Sequence, residues 1–175
     1  QERITSTKTG DWSDPLTWIG GVVPTSTDNA IIANGHVVTM DSNTYSTRNS
    51  GTTTTVNAGG TLATSLAYIN DGTTTINGTF QINTGGFGGG ANDFVYGANA
   101  NLIYNHNSGI FYGPIDGNHK YWPSSNSPTN VTVNTSSPIN LNISRTVSGL
   151  FQIADGVILT SANLTLNGTA QINAG

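Results

Sequence analysis

Ten residues of this 175-residue chain, Ile76-Asn77-Gly78-Thr79-Phe80-Gln81-Ile82-Asn83-Thr84-Gly85, return as Leu166-Asn167-Gly168-Thr169-Ala170-Gln171-Ile172-Asn173-Ala174-Gly175, with seven identities at a spacing of 90 residues. A segment repeated at a set interval in a Thr-, Asn- and Gly-rich chain marks a repeat architecture. A shorter echo agrees. Gly51-Thr52-Thr53-Thr54-Thr55-Val56-Asn57 is followed, 21 residues from glycine to glycine, by Gly72-Thr73-Thr74-Thr75-Ile76-Asn77. One coil of a β-solenoid, two or three short strands joined by turns, has about this length. A repeat array needs a terminal unit with a polar outer face. A sequence whose last residues are the repeat itself therefore predicts that the final coil continues in a longer polypeptide.

Inside each coil the apolar residues alternate with polar ones, the period of a half-buried strand. Val56, Leu62, Ile69, Ile76, Phe80 and Ile82 are expected to point inward, and the Thr and Asn between them outward. Thr is β-branched and suits a strand even when exposed. The pattern resumes after the turn-rich residues 123–128, with Val131, Val133, Ile139, Leu141, Val147 and Ile153 among its inward positions. No segment carries an apolar stripe at helical spacing. The fold class is all-β: a right-handed β-helix-like solenoid over residues 51–175, truncated at its C-terminus, behind an N-terminal capping region, residues 1–50, that contains Trp12 and Trp18. In that region, residues 30–33 and 37–40 read as two short strands around an Asn34-Gly35 hairpin turn. The tryptophans read as plugs for the open end of the first coil.

Charged residues are only 8% of the chain and the net charge is −4, against roughly 25% charged in an average domain. The five basic residues, Arg3, Lys8, Arg48, Lys120 and Arg145, are scattered, which argues against nucleic acid and anionic membrane as partners. The chain has no cysteine, which excludes disulfides and thiolate metal sites. No apolar run is long enough for a membrane-spanning helix. This balance points to a secreted or cell-surface bacterial protein.

A resemblance points the same way. Gly10-Asp11-Trp12, Thr17-Trp18, Val23-Pro24, Asp28-Asn29-Ala30-Ile31-Ile32 and Gly35-His36-Val37-Val38-Thr39 follow one another as in a recurrent opening motif of bacterial extracellular repeat proteins. Tyr121-Trp122-Pro123, Pro128-Thr129-Asn130-Val131-Thr132-Val133 and Arg145-Thr146-Val147-Ser148-Gly149 look like the repeats of large Bacteroidetes surface proteins. The resemblance implies export by type IX secretion and a role as adhesin, stalk or carrier of enzyme modules. A similar Trp-rich opening in hyaluronan-handling cell-surface proteins keeps carbohydrate among the implied ligands.

Chemistry-bearing residues are dense in one place only, Asp116-Gly117-Asn118-His119-Lys120-Tyr121-Trp122. With Tyr112, the residues Asp116, His119, Lys120, Tyr121 and Trp122 form the candidate glycan-binding set, and an exposed Trp122 ring is its expected stacking platform. Strand neighbours alternate faces, so only about half of the set can meet one ligand. In the competing reading, Tyr121 and Trp122 fold back over the solenoid edge. Asp11, Asp14 and Asp28 are a candidate calcium set, since calcium takes carboxylate and carbonyl oxygens; the alternative is three turn carboxylates satisfying backbone N–H groups. His36 and His106 stand alone. Six Asn-x-Ser/Thr sites, at Asn77, Asn130, Asn134, Asn142, Asn163 and Asn167, fit side-chain amide ladders between stacked coils. The sequence thus points to a non-catalytic surface, adhesin or stalk module whose partners are the downstream domains of its own polypeptide. A carbohydrate-binding module comes second, and part of a β-helical polysaccharide-degrading enzyme third.

Overall fold

The computed structural model describes residues 2–107, 119–156 and 158–173. They form a β-solenoid of about seven turns, built from short parallel strands. Each early coil visits three walls in turn. The first wall is a five-stranded sheet ordered Arg3–Thr5, Asn29–Ile32, Thr53–Val56, Thr73–Ile76, Val95–Tyr96. The second is an eight-stranded sheet ordered Gly10–Asp11, Val37–Met40, Thr61–Thr64, Thr79–Asn83, Asn101–His106, Asn130–Thr135, Leu150–Asp155, Thr169–Ile172. The third is a three-stranded sheet of Thr47–Arg48, Ala67–Asn70 and Phe87–Gly89. Past residue 106 the eight-stranded sheet runs on, while the other two walls are replaced by the pairs Ile139–Leu141 with Ile158–Thr160 and Arg145–Val147 with Leu164–Leu166. The eight-stranded sheet is the spine of the molecule.

Register explains the 90-residue repeat. Thr79 pairs with Asn101, Asn101 with Asn130, and Leu150 with Thr169. The two copies therefore occupy the same column of the spine, four coils of unequal length apart. Their shared glycine has a common cause. A Cβ on Gly78 would land on the carbonyl oxygen of Gly60, and one on Gly168 on that of Gly149, so each marks a corner where two coils touch backbone to backbone.

Inside, identical positions stack. Val38, Leu62, Phe80, Leu102, Val131 and Phe151 form one buried column of the spine. Removing apolar area from water is the main driving force, and each such side chain contributes about 1.5–3 kcal/mol when fully buried.

Three expectations change. Thr53–Val56 pairs with Thr73–Ile76 at 20 residues rather than 21; the extra residue of the glycine-to-glycine echo is taken up beside the turn at Gly51, where φ is 85°. Asn29–Ile32 and Val37–Met40 do not pair with each other but lie in different walls. Asn34-Gly35, with φ of 80° at Gly35, is a solenoid corner rather than a hairpin turn. Strands from residues 1–50 join all three walls, and Trp12 and Trp18 are buried beside the first coil. Finally, Tyr68 rather than Ile69 points inward, along with Thr54, Thr64, Asn70 and Thr74.

That polar interior is satisfied. Tyr68 Oη lies 2.8 Å from Thr74 Oγ1, which donates to Asn70 Oδ1 at 2.8 Å. Arg48 is fully buried; it donates from Nε to Thr54 Oγ1 (3.2 Å) and through its other nitrogens to the carbonyls of Thr25 and Asp28. The guanidinium carbon sits 5.0 Å from the centre of the Trp12 ring, within cation–π range. Burial lowers the Arg48 pKa from its ordinary value. A buried charge is tolerated only when hydrogen-bonded in this way.

Candidate functional site

The aromatic segment is core. Tyr121 and Trp122 have no exposed surface, so the expected exposed platform at Trp122 is absent and its ring cannot stack on a ligand. Their contacts give the reason. Tyr104 Oη and Tyr121 Oη are 2.9 Å apart, Tyr96 Oη donates to the Tyr121 carbonyl at 2.6 Å, and buried Arg145 donates from Nε to the Trp122 carbonyl at 2.8 Å. The Trp122 ring packs 6.3 Å from Tyr104. Gly88 leaves the space: a Cβ there would lie 2.8 Å from Tyr121 Cβ and 3.2 Å from the Phe80 ring. Burial raises the phenol pKa values of Tyr68, Tyr96, Tyr104 and Tyr121. His119 and Lys120 are half-buried, and Lys120 Nζ meets Asp93 at 3.5 Å. Tyr112 and Asp116 lie outside the described residues. The structure thus divides the candidate set between core and surface.

The three N-terminal carboxylates are also apart. Asp14 accepts from Leu16 N at 2.9 Å and caps the short 3₁₀ turn Pro15–Thr17. Asp28 accepts from Thr25 N at 3.0 Å and Thr25 Oγ1 at 2.7 Å, and the side-chain bond from Thr25 is the main influence holding its carboxyl below the ordinary value. Asp11 is exposed at the edge of the spine. Among the described residues, no three His, Asp or Glu side chains gather as a metal site. His36 Nδ1 pairs with Ser6 Oγ at 2.8 Å.

A different site lies on the outer face of the spine. A groove of about 550 Å³ is lined by Gln81, Asn83, Asn105, Asn134 and Asp155, with Ser65, Thr84, His106, Asn107, Thr135 and Ser136 around them. Parallel register builds it. Asn83 pairs with Asn105, Asn105 with Asn134, and Asn134 with Asp155 across a bulge after Val133. The amides form a ladder: Asn134 Nδ2 donates to Asn105 Oδ1 (2.9 Å), Asn105 Nδ2 to Asn83 Oδ1 (3.4 Å), and Gln81 Nε2 also to Asn83 Oδ1 (2.8 Å). A second ladder runs beside it, where Asn130 Nδ2 donates to Asn101 Oδ1 at 3.0 Å. At the groove floor, burial lowers the His106 pKa.

Sequence reasoning reached amide ladders at Asn130 and Asn134 but not the groove. The available signal was phase: Phe80-Gln81-Ile82-Asn83, Leu102-Ile103-Tyr104-Asn105 and Val131-Thr132-Val133-Asn134 each end an alternating run on an outward Asn. What fold and surface define together is an all-β parallel solenoid with an amide-rich spine. No family model matches the chain, and neither does any curated protein or solved structure.

Proposed function

We propose that the chain is a non-catalytic structural module of an extracellular surface protein, a stalk or adhesive segment that is secreted or held at the cell surface. The supporting observation is the uninterrupted eight-stranded spine. At about 4.8 Å per strand it runs about 34 Å, and its outer positions are mostly Thr, Asn and Gln rather than charged groups. A spine that continues while its flanking walls are exchanged suits a module that carries other parts at a distance. The test is to produce the full-length protein in its native host, label intact cells with antibody and then shave them with protease. Surface label lost on shaving is expected; label found only after lysis contradicts the proposal. Carbohydrate recognition is the second reading, favoured by the amide-lined groove.

A further inference from the structure

We infer that the groove over Gln81, Asn83, Asn105 and Asn134 binds one strand of a neutral polysaccharide, laid along the solenoid axis and held by side-chain amides rather than by ring stacking. The inference deepens the carbohydrate reading and rests on it. Size comes first: about 550 Å³ lies within the range of ligand clefts. Chemistry comes second. Among the described residues the lining is amide and hydroxyl with one carboxylate, Asp155, and one imidazole, His106, and includes no Lys or Arg. Phosphate, sulfate and uronate polymers meet no cation there and are repelled by Asp155. A polyhydroxyl ligand both donates and accepts, and so does an amide. Each Asn or Gln side chain has two N–H donors and two lone pairs, of which the ladder uses a part. Geometry comes third. Asn83, Asn105 and Asn134 repeat once per strand in register, so the groove offers the same group at regular steps of about 4.8 Å, as a repeating polymer requires. The ladder bonds also hold the amides in place before a ligand arrives, which cuts the ordering cost of binding. Among the described residues, no aromatic ring other than buried His106 lines the groove, so the amides are the groups it offers a ligand.

The experiment uses the purified chain and native affinity electrophoresis through gels containing a neutral mannan, a neutral β-glucan, dextran or anionic polygalacturonate. Retardation by at least one neutral polymer and none by polygalacturonate is expected. Asn134→Ala and Gln81→Ala should each weaken that binding about fivefold, the effect of one lost net hydrogen bond, whereas Thr73→Ala on the five-stranded wall should leave it unchanged. Thermal melts of all three variants check that folding is intact. As a second readout, side-chain amide resonances of Asn83, Asn105 and Asn134 should shift on titration with the retarding polymer. The inference is overturned if no neutral polymer binds, if polygalacturonate binds best, or if Asn134→Ala and Gln81→Ala both bind as well as the parent. Cell labelling asks where the protein resides and gel retardation asks what the groove binds, so either proposal can fail without the other.

Discussion

The two copies of the repeated decapeptide have nearly the same sequence and the same column of the same sheet, yet opposite surroundings. In the first, Ile76, Phe80 and Ile82 are completely buried. In the second, the matching Leu166 and Ile172 are 37% and 62% exposed, and Ala170 is exposed as well. The strands match because alternation and the corner glycine act locally. Burial differs because it is supplied by neighbouring coils: the first copy is flanked on both sides, by Thr61–Thr64 and Asn101–His106. Among the described residues the second is paired on one side only, with Leu150–Asp155. A solenoid repeat thus encodes its own shape but borrows its stability, as nearest-neighbour energetics of repeat proteins require.

The largest expected effect lies in the first copy. Phe80 packs on Phe94 at 4.9 Å and on Tyr68 at 6.2 Å, so Phe80→Ala should cost about 3–5 kcal/mol by chemical denaturation. Next is the matched pair. In this 175-residue chain, Ile82→Ala should cost about 2–5 kcal/mol, while Ile172→Ala should fall within about 0.5 kcal/mol, the range of surface changes. Equal losses at the two sites would break the comparison. Hydrogen exchange sharpens it: backbone amides of Thr79–Asn83 should be protected far more strongly than those of Thr169–Ile172.

Two pH effects are smaller and belong to the coils around the first copy. Tyr68, Tyr96, Tyr104 and Tyr121 have pKa values raised above the ordinary 10.0 by burial. Unfolded tyrosine ionises first, so their contribution is present below pH 10 and is lost as pH rises above it. Tyrosinate absorbance from these four should appear together with unfolding rather than before it. His106 is the acid counterpart, with its pKa lowered from 6.5 by burial. Protons bind the unfolded chain more readily, so stability is intact above about pH 6.5 and declines as pH falls through the window below that value. His106→Gln should flatten that decline in denaturant midpoints measured between neutral and mildly acid pH.

The sequence revealed the solenoid because period-two alternation and corner glycines are local signals, and both survive in Val56, Ile76, Phe80 and Ile82. It misplaced features that depend on what lies across the coil. Asn34-Gly35 reads the same at a hairpin and at a corner, and only pairing with other coils separates the two. Tyr68 rather than Ile69 turns inward because Thr74 offers its hydroxyl a partner and Gly88 stands opposite in the register. Trp122 admits two readings from its neighbours, an exposed ring or one folded back over the solenoid edge, and it is buried because Arg145 and Tyr104 reach it from remote strands. The groove was hidden by unequal coil lengths: Asn83, Asn105, Asn134 and Asp155 keep no constant spacing along the chain, although register sets them in one column.

Coil register is the central claim, and the cysteine-free chain allows it to be read directly. In-register stacking sets Thr55 beside Thr75 on the outer face of the five-stranded wall, while Thr54 points into the core. Strand spacing of about 4.8 Å falls within the Cα separation that a disulfide accepts, provided both side chains share a face. The measurement is the mass shift and gel mobility of two oxidised double variants. Thr55→Cys with Thr75→Cys should form an intrachain disulfide rapidly, and Thr54→Cys with Thr75→Cys should not. Cross-linking of the second pair in preference to the first would contradict the 20-residue coil and, with it, the placement of every inward and outward residue in that wall.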